Sequence, residues 1–252
     1  MPIKLLIIGI GGVGKEHIRA AAILGIDDTV LMDIDTEVAA EFVKGLADGY
    51  VLNKWDTYEE KIPLPKGAVL VDNLASIGTP PTHVVIATPT ETHEKVTIQV
   101  KAKFPQARIL LEKPISEHET KVVVDYVGYN YDFKFKRGAN ILALCNSERQ
   151  EDNGSIAFDL LSHLIAAALN NERRVVGLRV VSANSCVAFT AAGDVLVAMR
   201  NQTRHSVFFN GDAVDVDYAE LFTNQLKRFL DGESNYEMAL EAERIVQTGY
   251  RY

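Results

Sequence analysis

Residues 5–17 read LLIIGIGGVGKEH, an apolar run that meets a cluster of glycines and continues into a helix-like segment. Continuous apolar runs, as opposed to alternating ones, are typical of strands covered on both faces. Glycines directly after such a strand permit a tight turn and a close backbone approach that side chains would block. The stretch therefore predicts a buried strand, a glycine turn and a helix, in that order.

Further apolar runs of strand length follow, and helix-like segments at 12–24 and 91–103 lie among them. Alternation of strands and helices is typical of a doubly wound parallel sheet. We therefore expect an α/β dinucleotide-binding domain over residues 1–120. Its further strands are expected in TVLMD at 29–33, AVLVD at 68–72, HVVIAT at 83–88 and ARILLE at 107–112.

Beyond about residue 120 the segments become rich in β-branched and aromatic residues, and the turns AAGD and NGD separate some of them. This composition favours antiparallel strands joined by tight turns. We expect a smaller α+β domain with an open, mainly antiparallel sheet over residues 121–252. Its strands are expected within 121–135, 175–189, 194–200 and 206–217, and its helices at 155–169 and roughly 217–231.

The glycines match the spacing G-x-G-x-x-G, and Asp33 ends the next strand about 20 residues on. In a dinucleotide site the glycines allow the turn, the approach of the pyrophosphate and close helix packing. Asp33 can accept hydrogen bonds from ribose hydroxyls and would repel a 2′-phosphate, which favours NAD(H) over NADP(H). A structural turn without a ligand is the alternative. The residues expected to contact the cofactor here are Gly9, Gly11, Gly12, Val13, Gly14, Asp33 and Ile34.

Composition excludes several classes of function. A net charge of −8 argues against a nucleic-acid surface, and no apolar run approaches the roughly 20 residues that cross a bilayer. Cys145 and Cys186 are too few for a disulfide framework, which favours a reducing, cytoplasmic setting. His17, His118 and His205 lack metal-ligand spacing, so we expect no metal and take them as surface or capping residues.

Three stretches, VVIATPTETHEKV at 84–96, LLEKPIS at 110–116 and GSIAFDLLSHLIAAAL at 154–169, resemble in order and combination the Gfo/Idh/MocA family. This family comprises glucose-fructose oxidoreductases, inositol dehydrogenases and related sugar enzymes. The C-terminal segment 220–250 is similar to the family's closing segment as well. The resemblance implies an NAD(H)-dependent oxidoreductase that acts on a hydroxyl or carbonyl carbon of a sugar, cyclic polyol or sugar derivative.

The resemblance also implies the roles of individual residues near the cofactor. It places the Ala-Thr-Pro segment and the following histidine along the cofactor, Glu112 near the nicotinamide ribose and Lys113 at the reacting carbon. A lysine there can stabilise negative charge on the substrate oxygen. The further cofactor-binding residues implied in this way are Ala87, Thr88, Pro89 and His93.

The Asp-x-x-x-His pattern implies Asp159 and His163 as an acid/base pair. Residues four apart project from one face of a helix, and a histidine titrates near neutral pH, so it can take a hydroxyl proton. Tyr129 and Asn130 match a stretch that lines the substrate cleft in the family, although an edge-strand role is equally open.

Two departures from the family pattern bear on the fold and on the substrate. Only residues 115–121 separate Glu-Lys-Pro from the next β-rich segment, too few for a parallel crossover, so we expect a rerouted last strand or a smaller sheet. The C-terminal domain is also shortened, which leaves the small-molecule substrate open. A non-catalytic NAD(H)-binding regulatory protein and a reductase of a linear tetrapyrrole remain alternatives.

An apolar sheet face at 175–217 predicts a homodimer or larger homo-oligomer.

Overall fold

The computed structural model describes residues 2–55, 58–113, 115, 123–128, 175–182, 185–201, 204–214 and 218–249. The chain divides into two compact units, Met1–Gly128 with Tyr218–Tyr236, and Tyr129–Asp217 with Glu237–Tyr252. The predicted helix at 155–169 lies outside the described residues, and so do the candidate site residues Tyr129, Asn130, Asp159 and His163.

Strands and helices alternate along the first part of the chain, as the apolar runs predict. The helices are α1 Gly12–Ile23, α2 Thr36–Asp48, α3 His93–Lys103, α4 Tyr218–Leu230 and α5 Tyr236–Gly249. The strands are β1 Leu5–Ile8, β2 Thr29–Met32, β3 Tyr50–Trp55, β4 Tyr58–Pro63, β5 Val69–Val71, β6 His83–Ile86, β7 Arg108–Glu112, β8 Tyr126–Gly128, β9 Val175–Ser182, β10 Ser185–Thr190, β11 Val195–Asn201, β12 Arg204–Phe209 and β13 Asp212–Val214.

Six parallel strands form the central sheet in the order β5-β2-β1-β6-β7-β8. This is the order of a doubly wound dinucleotide-binding fold, whose direction of winding reverses between β1 and β6. Leu5, Leu6 and Ile7 are fully buried, so side chains on both faces of β1 are covered. Burial on both faces explains why the apolar run in the sequence is continuous.

A hairpin of β3 and β4, which the sequence did not reveal, follows α2 and pairs in antiparallel register from Tyr50↔Pro63 to Trp55↔Tyr58. Its polar side chains bind α1, where Asn53 Nδ2 donates to Glu16 Oε1 at 3.1 Å and Arg19 contacts Glu60 at 2.5 Å. Burial raises the pKa of Glu16, although Arg19 opposes that rise. The hairpin contains several charged residues, and its contacts with α1 through Asn53 and Glu60 hold it against the helix.

The strand β8 contradicts the expectation of a rerouted strand or a smaller sheet. It pairs in parallel with β7, with Leu110 opposite Tyr126 and Glu112 opposite Gly128. The strand begins at Tyr126, so residues 113–125 form the connection, and this length meets the minimum for a parallel crossover. The predicted domain boundary at residue 120 falls before β8.

Asn235 lies at the edge of β8 that no described strand pairs with. The Val127 N–H donates to Asn235 Oδ1 at 2.6 Å, and Asn235 Nδ2 donates to the Val127 carbonyl at 2.8 Å. One amide side chain thus satisfies both the N–H and the carbonyl of Val127 at this edge. The preceding helix α4 also lies in the first unit, where Arg108 donates to the Phe229 carbonyl at 2.6 Å.

The second unit contains an open antiparallel sheet in the order β13-β12-β11-β10-β9, as the composition predicts. The NGD sequence forms the two-residue turn between β12 and β13, with Asn210 at φ 47° and Gly211 at φ 103°. Val187, Val195 and Val197 form a buried cluster within it. Among the residues described, no helix is both long enough and apolar enough to cross a membrane.

Candidate functional site

The glycine loop lies between β1 and α1, at the carboxyl end of the sheet where the winding reverses. Gly9 has φ +84°, and a Cβ there would come within 2.6 Å of the Ala87 carbonyl oxygen. A Cβ on Gly14 would collide with the Gly9 carbonyl, whereas a Cβ on Gly11 would meet no atom within 4 Å. Packing therefore requires glycine at 9 and 14, whereas Gly11 borders open space.

The N-terminus of α1 faces outward at this loop. Gly11, Gly12 and Val13 are exposed, no side chain caps the helix, and its first turn contains no acidic residue. The first N–H groups of a helix have no partner within it, and they carry the positive end of its dipole. Such an uncapped, glycine-lined terminus suits the phosphate groups of a dinucleotide.

Asp33 stands at the end of β2 and is held by two backbone groups. The Ile10 N–H donates to Asp33 Oδ2 at 2.8 Å, and the Asp35 N–H donates to Asp33 Oδ1 at 2.9 Å. Each carboxylate oxygen can accept a second hydrogen bond, so the side chain retains capacity for two hydroxyl groups. Ile34 beside it is 87% exposed and offers an apolar surface suited to a flat ring.

The loop after β6 lies against the glycine loop, since the Ala87 N–H donates to the Ile8 carbonyl at 2.8 Å. His93 is 1% exposed, and its Nε2 donates to the Thr88 carbonyl at 2.8 Å. Thr92 Oγ1 donates to the Pro89 carbonyl at 2.7 Å. Of the predicted cofactor residues, Ala87 and Thr88 thus lie against the glycine loop, Pro89 follows them in the chain, and His93 is buried with its ring on the Thr88 carbonyl.

Glu112 at the end of β7 is buried, with 4% exposure. Its Oε1 lies 2.7 Å from His17 Nε2 and accepts from Gln225 Nε2 at 3.1 Å. Burial by itself would raise the pKa of Glu112, but His17, the charge of Lys113 and the Gln225 amide together hold that pKa below its ordinary value. These contacts favour the ionised form of the buried carboxyl group, and Lys113, half-buried, follows it directly.

His17 corrects an expectation from the sequence. We expected a surface or capping residue, but His17 is fully buried on α1, and its ring meets Phe222 of α4 edge-on with centroids 5.1 Å apart. Because a carboxylate only accepts hydrogen bonds, His17 Nε2 carries the proton of the contact with Glu112. Sequence reasoning missed the pair because its members lie 95 residues apart and α4 covers them from the other end of the chain.

The described part of the predicted site therefore gathers at one edge of the sheet, from the ends of β1, β2, β6 and β7. The predicted acid/base pair Asp159 and His163 and the substrate residues Tyr129 and Asn130 lie outside the described residues. Within the described ranges, no group of three or more His, Cys, Asp or Glu residues could hold a metal ion.

Residues 3–127 match the model of the Gfo/Idh/MocA family, described as an oxidoreductase family with an NAD-binding Rossmann fold. Comparison with curated proteins finds no match. Among solved structures, myo-inositol 2-dehydrogenase from Lactobacillus plantarum is similar at 12% identity and a TM-score of 0.61, over 100% of this chain and 97% of that one.

Two further structures have the same fold. The dehydrogenase MviM from Clostridium difficile is 14% identical with a TM-score of 0.62, over 100% of this chain and 99% of that one. UDP-N-acetylglucosamine 3-dehydrogenase GnnA from Acidithiobacillus ferrooxidans is 15% identical with a TM-score of 0.59, over 99% and 96%. At these identities the similarity is one of fold.

Proposed function

We propose that this chain, whose residues 3–127 match the Gfo/Idh/MocA oxidoreductase family, is an NAD(H)-dependent enzyme that transfers a hydride to or from a hydroxyl-bearing or carbonyl carbon of a sugar, cyclic polyol or sugar derivative. The observation that carries the proposal is the glycine loop, because an uncapped helix terminus beside open space at Gly11 fits a pyrophosphate.

The preference for NAD(H) over NADP(H) is supported by the charges at the end of β2. Asp33 is held in place by two backbone N–H groups, and Asp35 occupies the N-cap of α2, accepting from the N–H groups of Glu37 and Val38. A 2′-phosphate at this point would meet two carboxylates and a helix terminus whose N–H groups are already used. A ribose 2′-hydroxyl can instead donate a hydrogen bond to Asp33.

The chemistry follows from the residues at the carboxyl end of β7 and from the Asp-x-x-x-His pattern. The nicotinamide supplies the hydride acceptor or donor when it is bound. Lys113 donates a hydrogen bond to the substrate oxygen and stabilises the negative charge that develops there. His163 takes the hydroxyl proton in oxidation and returns it in reduction, and Asp159 orients the imidazole.

The substrate class rests on what related folds act on. The similar structures include a myo-inositol 2-dehydrogenase and a UDP-N-acetylglucosamine 3-dehydrogenase. Their common chemistry is a secondary hydroxyl group on a six-membered ring. We therefore propose a substrate that carries such a hydroxyl group.

The test begins with calorimetric titration of the full chain with NADH, NAD⁺ and NADPH. A panel of myo-inositol, free hexoses and UDP-N-acetylglucosamine is then added with NAD⁺, and the absorbance of reduced nicotinamide is followed. We expect NADH binding and turnover of at least one cyclic polyol or sugar. Failure to bind either dinucleotide would refute the proposal, and NADH binding without turnover on a broad panel would favour the non-catalytic regulatory alternative.

A further inference from the structure

A buried polar cluster connects three elements of the first unit behind the glycine loop. It consists of His17 on α1, Glu112 at the end of β7 and Gln225 on α4, with Glu112 Oε1 as the common acceptor. His17 and Gln225 are 0% and 3% exposed, and Glu112 is 4% exposed. A charged group buried to this extent needs its hydrogen bonds, because burial without them is costly.

The neighbouring strand is shaped around this carboxylate. Gly128 on β8 stands opposite Glu112 in the register, and a Cβ at this position would collide with the carboxyl group and come within 2.7 Å of Oε2. The glycine therefore leaves the space that the carboxylate fills. Its backbone has no positive φ that would itself require glycine. Steric fit to Glu112 is thus the structural reason for a glycine at 128.

The surroundings of Glu112 indicate how it acts. Its carboxylate is enclosed by His17, Gln225 and Gly128, so little of it can reach a ribose. Lys113 follows Glu112 directly where β7 ends, so the contacts that hold the Glu112 side chain also hold the backbone from which Lys113 projects. His17 lies one turn beyond Gly14 on the same helix whose N-terminus faces the phosphate position.

We infer that Glu112 is a positioning residue, which through His17 and Gln225 ties the end of β7, and with it Lys113, to helix α1. It does not bind the nicotinamide ribose directly. The role of Lys113 rests on the proposed function, whereas the mechanical link between Glu112 and Lys113 does not. Gly128 and Gln225 serve the same arrangement from β8 and α4.

The test uses the full chain and three variants. Glu112→Gln keeps the volume and removes the charge, and Gly128→Ala keeps every charge and displaces the carboxylate. Gly78→Ala is the matched control, because a Cβ at Gly78 meets no atom within 4 Å. Thermal melting identifies the variants that fold. If Gly128→Ala does not fold, the isosteric Glu112→Gln still allows the test.

The first measurement is the acylation rate of Lys113 by acetic anhydride without cofactor, followed by peptide mass spectrometry and divided by the rate of exposed Lys66. We expect Glu112→Gln and Gly128→Ala to change this ratio threefold or more, and Gly78→Ala to leave it unchanged. An unchanged ratio in a folded Glu112→Gln or Gly128→Ala protein would overturn the inference.

The second measurement is NADH affinity by calorimetry. A positioning role predicts that Glu112→Gln binds NADH within threefold of the unmodified protein. A tenfold or greater loss would mean that Glu112 is a ligand of the cofactor, and it would overturn the inference. If the unmodified protein bound no NADH, the proposed function would fail, while the acylation ratio would still decide whether Glu112 positions Lys113.

Discussion

Replacing His17 by leucine removes the partner of a buried carboxylate and preserves an apolar contact with Phe222. The contact between His17 Nε2 and Glu112 Oε1 is 2.7 Å long, and the two side chains are 0% and 6% exposed. Removing one partner of a buried pair costs about 3–5 kcal/mol, and here the carboxylate loses the largest of its compensating interactions. At about 2–4 °C per kcal/mol for a chain of this size, the melting temperature should fall by roughly 6–20 °C.

The double variant His17→Leu with Glu112→Gln separates charge from packing. The neutral amide leaves no uncompensated charge, so this protein should recover much of the stability that the single variant loses. His83→Leu is the matched control. Its ring meets Phe229 edge-on at 5.2 Å, much as His17 meets Phe222, but it does not pair with a buried carboxylate.

The assay is thermal unfolding followed by far-ultraviolet circular dichroism at neutral pH. A loss of stability below about 1 kcal/mol in His17→Leu, or a loss equal to that of His83→Leu, would refute the reasoning.

The dependence of stability on pH has a defined sign. The pKa of Glu112 is lowered in the folded protein, so its contribution to stability is present above its unfolded pKa and is lost as the pH falls through the folded pKa. The difference between wild type and His17→Leu should therefore shrink in acid.

Four other outcomes are expected. Asp33→Asn should narrow the difference between NADH and NADPH affinities, and equal affinities in the unmodified protein would contradict this assignment of cofactor preference. Gly14→Ala should abolish NADH binding or folding, since its Cβ collides with the loop backbone, and a folded variant with unchanged calorimetric affinity would contradict this. Lys113→Ala and His163→Ala should each keep NADH affinity within a few-fold and lower turnover by roughly two to four orders of magnitude; normal turnover in either would remove that residue from the mechanism. Light scattering should show at least a dimer, which we expect to form through residues 175–217, and a monomer at micromolar concentration would argue against this assembly.

Features that depend on neighbouring residues were predictable before the structure was known. The strands of the parallel sheet, the glycine turn at Gly9 and the Asn210–Gly211 turn follow from side-chain sterics and local backbone freedom. The arrangement of Gly9, Gly14 and Asp33 was also predictable, because each sits directly beside the strand or helix that it connects. Their spacing along the chain was therefore enough to predict where they lie relative to these elements.

Features that depend on distant contacts were decided by packing. From its sequence, the hairpin at 50–63 resembles a charged loop, and the fold stabilises it through the contacts of Asn53 and Glu60 with α1. His17 resembles a surface residue in the sequence, and the fold buries it under α4. Glu112 is separated by 95 residues from His17 and by 113 from Gln225, so no local pattern reports their contact. A polar side chain is stable in the interior only where its partners converge, and that convergence is a property of the folded chain.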